Sequence, residues 1–102
     1  MNSSTIHISL QEGFQKESVN IVIDGNEVYR KQDVSTRHQI GLADTVEHET
    51  DLPIADVKIH LPEKNKKASI KIHVRQNPYL GIDLDTDGNV RFKSSSRPFG
   101  FL

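Results

Sequence analysis

Val19-Asn20-Ile21-Val22-Ile23-Asp24-Gly25-Asn26-Glu27-Val28-Tyr29-Arg30-Lys31 is the stretch that decides the fold. Branched Val and Ile side chains suit a pleated, half-buried surface better than a helix. Asp24-Gly25 supplies the positive φ angles that a tight primed turn needs, and apolar residues flank it on both sides. The pattern predicts a hairpin joining strands at 19–23 and 27–31, with Gly25 at positive φ. The first of these strands is apolar on both faces and is placed centrally in a sheet.

Working outward, the same period of two recurs. Ile6, Ile8 and Leu10 alternate with His7 and Ser9. Val57, Ile59 and Leu61 alternate with Lys58 and His60, and Ile70, Ile72 and Val74 with Lys71, His73 and Arg75. Leu80, Ile82 and Leu84 keep the phase, and Val90–Lys93 is a last short strand. Residues 45–51 carry Thr45, Glu47, Glu49 and Asp51 on one side. The stretch 32–44 shows no clear period, and a short strand is expected at 37–42. About eight short strands with turn signals every 8–12 residues predict one all-β domain over residues 1–102. Such strands cannot bury both faces alone, so the expected architecture is a two-sheet antiparallel sandwich, immunoglobulin-like or transthyretin-like.

Composition agrees and excludes several classes. Ten Ile and eight Val outnumber seven Leu in a chain of 102 residues. With no Cys, there are no disulfides, thiolate metal sites or Cys nucleophiles. The longest apolar run, Ile21–Ile23, is far too short to span a membrane as a helix. Met1-Asn2-Ser3-Ser4 has no signal-peptide character, which makes a cytoplasmic protein the expectation.

Charge is uneven. Residues 1–51 hold four Lys/Arg against nine Asp/Glu, and residues 52–102 hold nine against five. Either a binding face or mutual neutralisation produces such asymmetry. The short connection between residues 51 and 56 predicts an antiparallel pair setting Glu49 against Lys58 and Glu47 against His60. Only the tip at Lys64, Lys66 and Lys67 would then remain for an outside anion. Nucleic acid is disfavoured as a partner, because no aromatic side chain interleaves with these cations.

Four fragments together resemble small bacterial proteins of similar length that end in a Pro-Phe-Gly-aromatic-Leu tail. They are Val28-Tyr29-Arg30 after the Asp24-Gly25 turn, Thr36–Ala43, Tyr79-Leu80-Gly81-Ile82, and Pro98-Phe99-Gly100-Phe101-Leu102. The resemblance implies a bacterial single-domain β-sandwich. It brings no assigned reaction and no catalytic residue.

Candidate chemistry is sparse. Asp83-Leu84-Asp85-Thr86-Asp87-Gly88 has the carboxylate spacing and Gly of a calcium loop. Position 12 is Ser94 where a bidentate Glu belongs, and turns between strands collect Asp, Gly and Asn anyway. The five His have no second His or Cys at ligand spacing. No Gly-x-Ser-x-Gly elbow and no phosphate-cradling Gly-rich loop is present. Phe99, Phe101 and Leu102 either plug an open end of the sandwich or dock into a partner. The sequence therefore predicts a non-catalytic binding or assembly module without cofactor. Its partner would be another protein or a second copy, met through Lys64, Lys66, Lys67, Phe99, Phe101 and Leu102. The alternatives are a calcium module using Asp83, Asp85 and Asp87, and a small enzyme with its site in loop 31–44.

Overall fold

Hydrogen bonding along the period-two segments produces eight strands. They are β1 (Ser4–Leu10), β2 (Glu17–Ile23), β3 (Asn26–Val34), β4 (Asp44–Thr50), β5 (Ile54–Leu61), β6 (Lys66–His73), β7 (Tyr79–Leu84) and β8 (Val90–Ser95). The computed structural model describes residues 3–100, and among them there is no α-helix. A single 3-10 turn at Pro62–Lys64 joins β5 to β6, closed by Asn65 in the left-handed region. The strands form two four-stranded sheets, in the orders β4-β1-β7-β8 and β3-β2-β5-β6. These are called below the β1 sheet and the β2 sheet.

The hairpin read from the opening stretch is present. β2 and β3 pair antiparallel with Ile23 opposite Asn26, and the turn places both Asp24 (φ 50°) and Gly25 (φ 83°) in the left-handed region. A register shift beside Ile21 and Val22 bulges β3 at Val28. β5 and β6 form the second hairpin, and β2 joins the two by pairing with β5.

The β1 sheet departs from the expectation of purely antiparallel pairing. β1 lies antiparallel to β4 but parallel to β7, with Ile8 beside Leu80 and Leu10 beside Ile82. The strand order also differs from the immunoglobulin arrangement, in which the first two strands share a sheet. Here β1 and β2 lie in different sheets.

Inward side chains of both sheets make one core. Ile6, Ile8, Leu10, Leu80, Ile82 and Leu84 of the β1 sheet face Val19, Ile21, Ile23, Val57, Ile59 and Leu61 of the β2 sheet, all buried. Each such side chain is worth roughly 1.5–3 kcal/mol over its exposed state. Phe14 joins them at 2% exposure. The sequence places it in an unassigned segment, and no alternation marks it.

Two further expectations fail. Residues 37–42 are a tight turn, not a strand. Arg37 makes a lone bridge to Leu42, and its carbonyl accepts the N–H groups of Ile40 and Gly41. The connection is anchored instead by Thr36. Its N–H donates to the Phe14 carbonyl, its hydroxyl donates to the Gln11 carbonyl, and its Oγ1 accepts the Phe14 N–H. The second failure concerns β4, which pairs with β1 and lies in the other sheet from β5. Glu49 therefore faces Thr5 and Glu47 faces His7; neither meets Lys58 or His60. The connection at residues 51–53 crosses between sheets instead of turning a hairpin.

The two sheets are also tied by polar contacts. Tyr29 of β3 donates its phenol to Asp44 of β4 at 2.8 Å, and Lys31 reaches the same carboxylate at 3.2 Å. Burial pushes the Asp44 carboxyl up. The hydrogen bonds from Tyr29, the Thr45 N–H and Lys31 outweigh it and hold the group below its ordinary range. Burial, and then the Asp44 carboxylate, push the Tyr29 phenol well up.

Candidate functional site

Alternation fixes which side chains leave the core, and the register fixes which of them share a row. On the outer face of the β2 sheet, one row runs Glu27, Val22, Lys58, Ser69 across β3, β2, β5 and β6. The next runs Arg30, Asn20, His60, Lys67, and on the other side Asp56 faces Lys71. Glu27 and Arg30 neutralise each other through a two-pronged contact at 2.6 and 2.8 Å. Among the described residues, Lys58, Lys67 and Lys71 make no ion pair. A hollow of about 440 Å³ opens here, lined by Val22, Lys58, His60, Lys67, Ala68 and Ser69. The apolar residue that makes β2 look central thus floors this hollow.

The three lysines of the predicted tip separate. Lys64 turns back to Glu17 at 2.9 Å, and Glu17 is only 5% exposed. A buried carboxylate needs such a partner, since solvation is lost with burial. Lys66 donates to the Asn89 side chain at 2.8 Å. Only Lys67 points onto the open face.

The outer face of the β1 sheet is partly covered by side chains of its own chain. His7 stacks on Tyr79 with ring centres 4.7 Å apart and lies 3.4 Å from Glu47. Phe99 is half-buried, with the Lys93 ammonium 5.1 Å from its ring centre. It lies over this face and stays outside the core, so the expected plug of the sandwich end is not what Phe99 does. Phe101 and Leu102 lie outside the described residues.

A second hollow, of about 470 Å³, is lined by Gln11, Glu12, His38, Asp83, Lys93 and Phe99, among others. It brings the tip of loop 31–44 beside two carboxylates. Among the described residues no hydrogen bond links His38 to either of them.

The calcium ligands do not converge. Asp83 points out of β7 and accepts the Glu12 N–H at 2.9 Å. Asp85 closes its own turn, accepting the N–H groups of Asp87 and Asn89 at 2.9 Å each. The Asn89 N–H above all holds the Asp85 carboxyl below its ordinary range. Among the described residues no group of three or more His, Cys, Asp or Glu is placed to hold a metal ion. A strand-to-strand turn uses its carboxylate to satisfy its own backbone.

No family model matches this chain, and no curated protein and no solved structure does either.

Proposed function

We propose that the protein is a non-catalytic binding module that holds an acidic protein segment on the outer face of its β2 sheet. One observation carries this reading. Lys58 and Lys67 flank an open hollow with no anionic partner among the described residues, the acidic strand β4 belonging to the other sheet. Asn20 and Ser69 add neutral hydrogen-bonding groups, and Val22 offers an apolar floor. Among the described residues the face carries no Phe, Tyr or Trp for stacking on bases, which favours protein carboxylates over single-stranded nucleic acid. Of the two sandwich types the sequence suggests, the separation of β1 from β2 favours the transthyretin-like one.

The test is fluorescence anisotropy with a labelled decaglutamate peptide. Binding should weaken steeply with salt, because the contacts are exposed. Lys58→Glu with Lys67→Glu should weaken it by about tenfold or more, whereas Lys93→Glu on the opposite face should leave it intact. Equal binding by the Lys58/Lys67 variant overturns the assignment. A duplex DNA that binds more tightly than the peptide overturns the choice of partner.

A further inference from the structure

Leu52 and Ile54 are the exposed large apolar side chains among the described residues, at 49% and 46%. Every other described Ile, Leu or Val is buried or half-buried. The two bracket Pro53, also exposed, in the segment that carries the chain from β4 on one sheet to β5 on the other. Isolated exposed apolar residues need no explanation, but three in a row make a knob. The knob is held in place. The Leu52 N–H donates to the Thr50 hydroxyl at 3.2 Å, and the Val74 N–H donates to the Pro53 carbonyl at 3.0 Å.

Its flanks differ in sign. Glu49 and Asp51 precede it on the side of the β1 sheet, both exposed. On the side of the β2 sheet, Ile54 stands opposite His73, and Arg75 follows the Val74 that bonds Pro53. Lys71 already has Asp56 across from it, so Arg75 is the stronger cation of this flank. Among the described residues neither Glu49, Asp51 nor Arg75 makes an ion pair.

We propose that this knob is the centre of a two-fold interface with a second copy of the chain. A two-fold axis through the knob, perpendicular to the line joining the flanks, lays one copy's acidic flank on the other's basic flank, and apolar centre on apolar centre. Such a patch is self-complementary and closes at a dimer. An apolar centre within a charged rim is the ordinary anatomy of a protein interface. The knob and flanks are smaller than a standard interface, so the dimer is weak and concentration-dependent. The inference is independent of the acidic-partner reading, whose Lys58 and Lys67 lie farther along the same strands.

Sedimentation velocity over a concentration series up to about 1 mM tests it, a range that captures weak association. The wild type should form a reversible dimer. Leu52→Lys with Ile54→Lys should weaken dimerisation at least about tenfold, as loss of a central anchor does. The melting temperature should stay put, because both side chains are exposed. Asp51→Lys alone and Arg75→Glu alone should each weaken it, and the two together in one chain should restore it, because each flank faces the other across the axis. A wild type that stays monomeric throughout overturns the proposal. So does a knob variant that dimerises as well as the wild type, or a double charge swap no better than the single ones.

Discussion

The two sheets are assembled from different kinds of pairing. The β2 sheet is two hairpins side by side, each closed by a short local turn, with β2 against β5 as its one longer-range seam. The β1 sheet has one local hairpin, β7–β8. Its other seams bring β1 against β4 and, in parallel, against β7. The outer faces differ as well. The β1 sheet is overlaid by Phe99 and sets Arg91 against Asp85, whereas among the described residues the β2 sheet leaves lysines unpaired around a hollow. Local turns can form before the rest of the chain condenses, while distant seams need loops closed first. The β1 sheet should therefore depend on close tertiary fits, and the β2 sheet on turn chemistry.

Gly13 gives the largest expected effect. It links β1 to β2 at φ 89°, and a Cβ there would run into the Leu84 carbonyl oxygen. That atom is backbone and cannot swing aside. Gly13→Ala should cost about 3–5 kcal/mol, combining left-handed strain with overpacking, as a urea melt would measure. A loss below about 1 kcal/mol would mean that the β1 sheet tolerates repositioning of β7 after all.

Next comes the buried carboxylate beneath the 3-10 turn. Lys64→Met keeps the aliphatic stem but leaves Glu17 without its cation, at a cost of about 1–3 kcal/mol. Adding Glu17→Gln should recover part of that loss. No recovery would show that Lys64 acts through packing alone.

The hairpin turn of the β2 sheet should be gentler than Gly13. Nothing lies within 4 Å of a Cβ at Gly25, so only its φ of 83° resists a side chain. Gly25→Val should cost about 1–2 kcal/mol. If it costs as much as Gly13→Ala, the contrast between the sheets is wrong.

The smallest effect is at the tie between the sheets. The folded Asp44 carboxyl titrates below its unfolded value, so its contribution is present above the unfolded pKa, about 3.9, and is lost as pH falls through the folded pKa. Asp44→Asn should flatten the acid limb of the melting-temperature profile and leave its neutral plateau only slightly lower. An unchanged acid limb would remove Asp44 from the account of acid stability.

The same contrast explains what could be read without coordinates. The Asp24-Gly25 hairpin and the alternation of β5 and β6 rest on neighbours in the chain, and each stands as expected. Phe14 and Thr36 carry no such signal, because the hydrogen bonds between them bind segments far apart in sequence. The expected pairing of Glu47 and Glu49 with His60 and Lys58 misled for the same reason. A connection of a few residues fits a hairpin, and it fits a crossing between sheets equally well. Lys64 and Lys66 of the expected tip are engaged by Glu17 and Asn89, which leaves the face around Lys58 and Lys67 as the open cationic surface.

By itself, the sequence determined that strands would form, where the Asp24-Gly25 turn falls and which side chains alternate toward a core. Those properties follow from β-branching, the turn preferences of Asp-Gly and a period of two. Only the tertiary structure decided which strands share a sheet, that β1 runs parallel to β7, and that the acidic and basic strands lie apart. Partner choice among strands depends on how both sheets bury their apolar faces at once, and no local stretch encodes that sum.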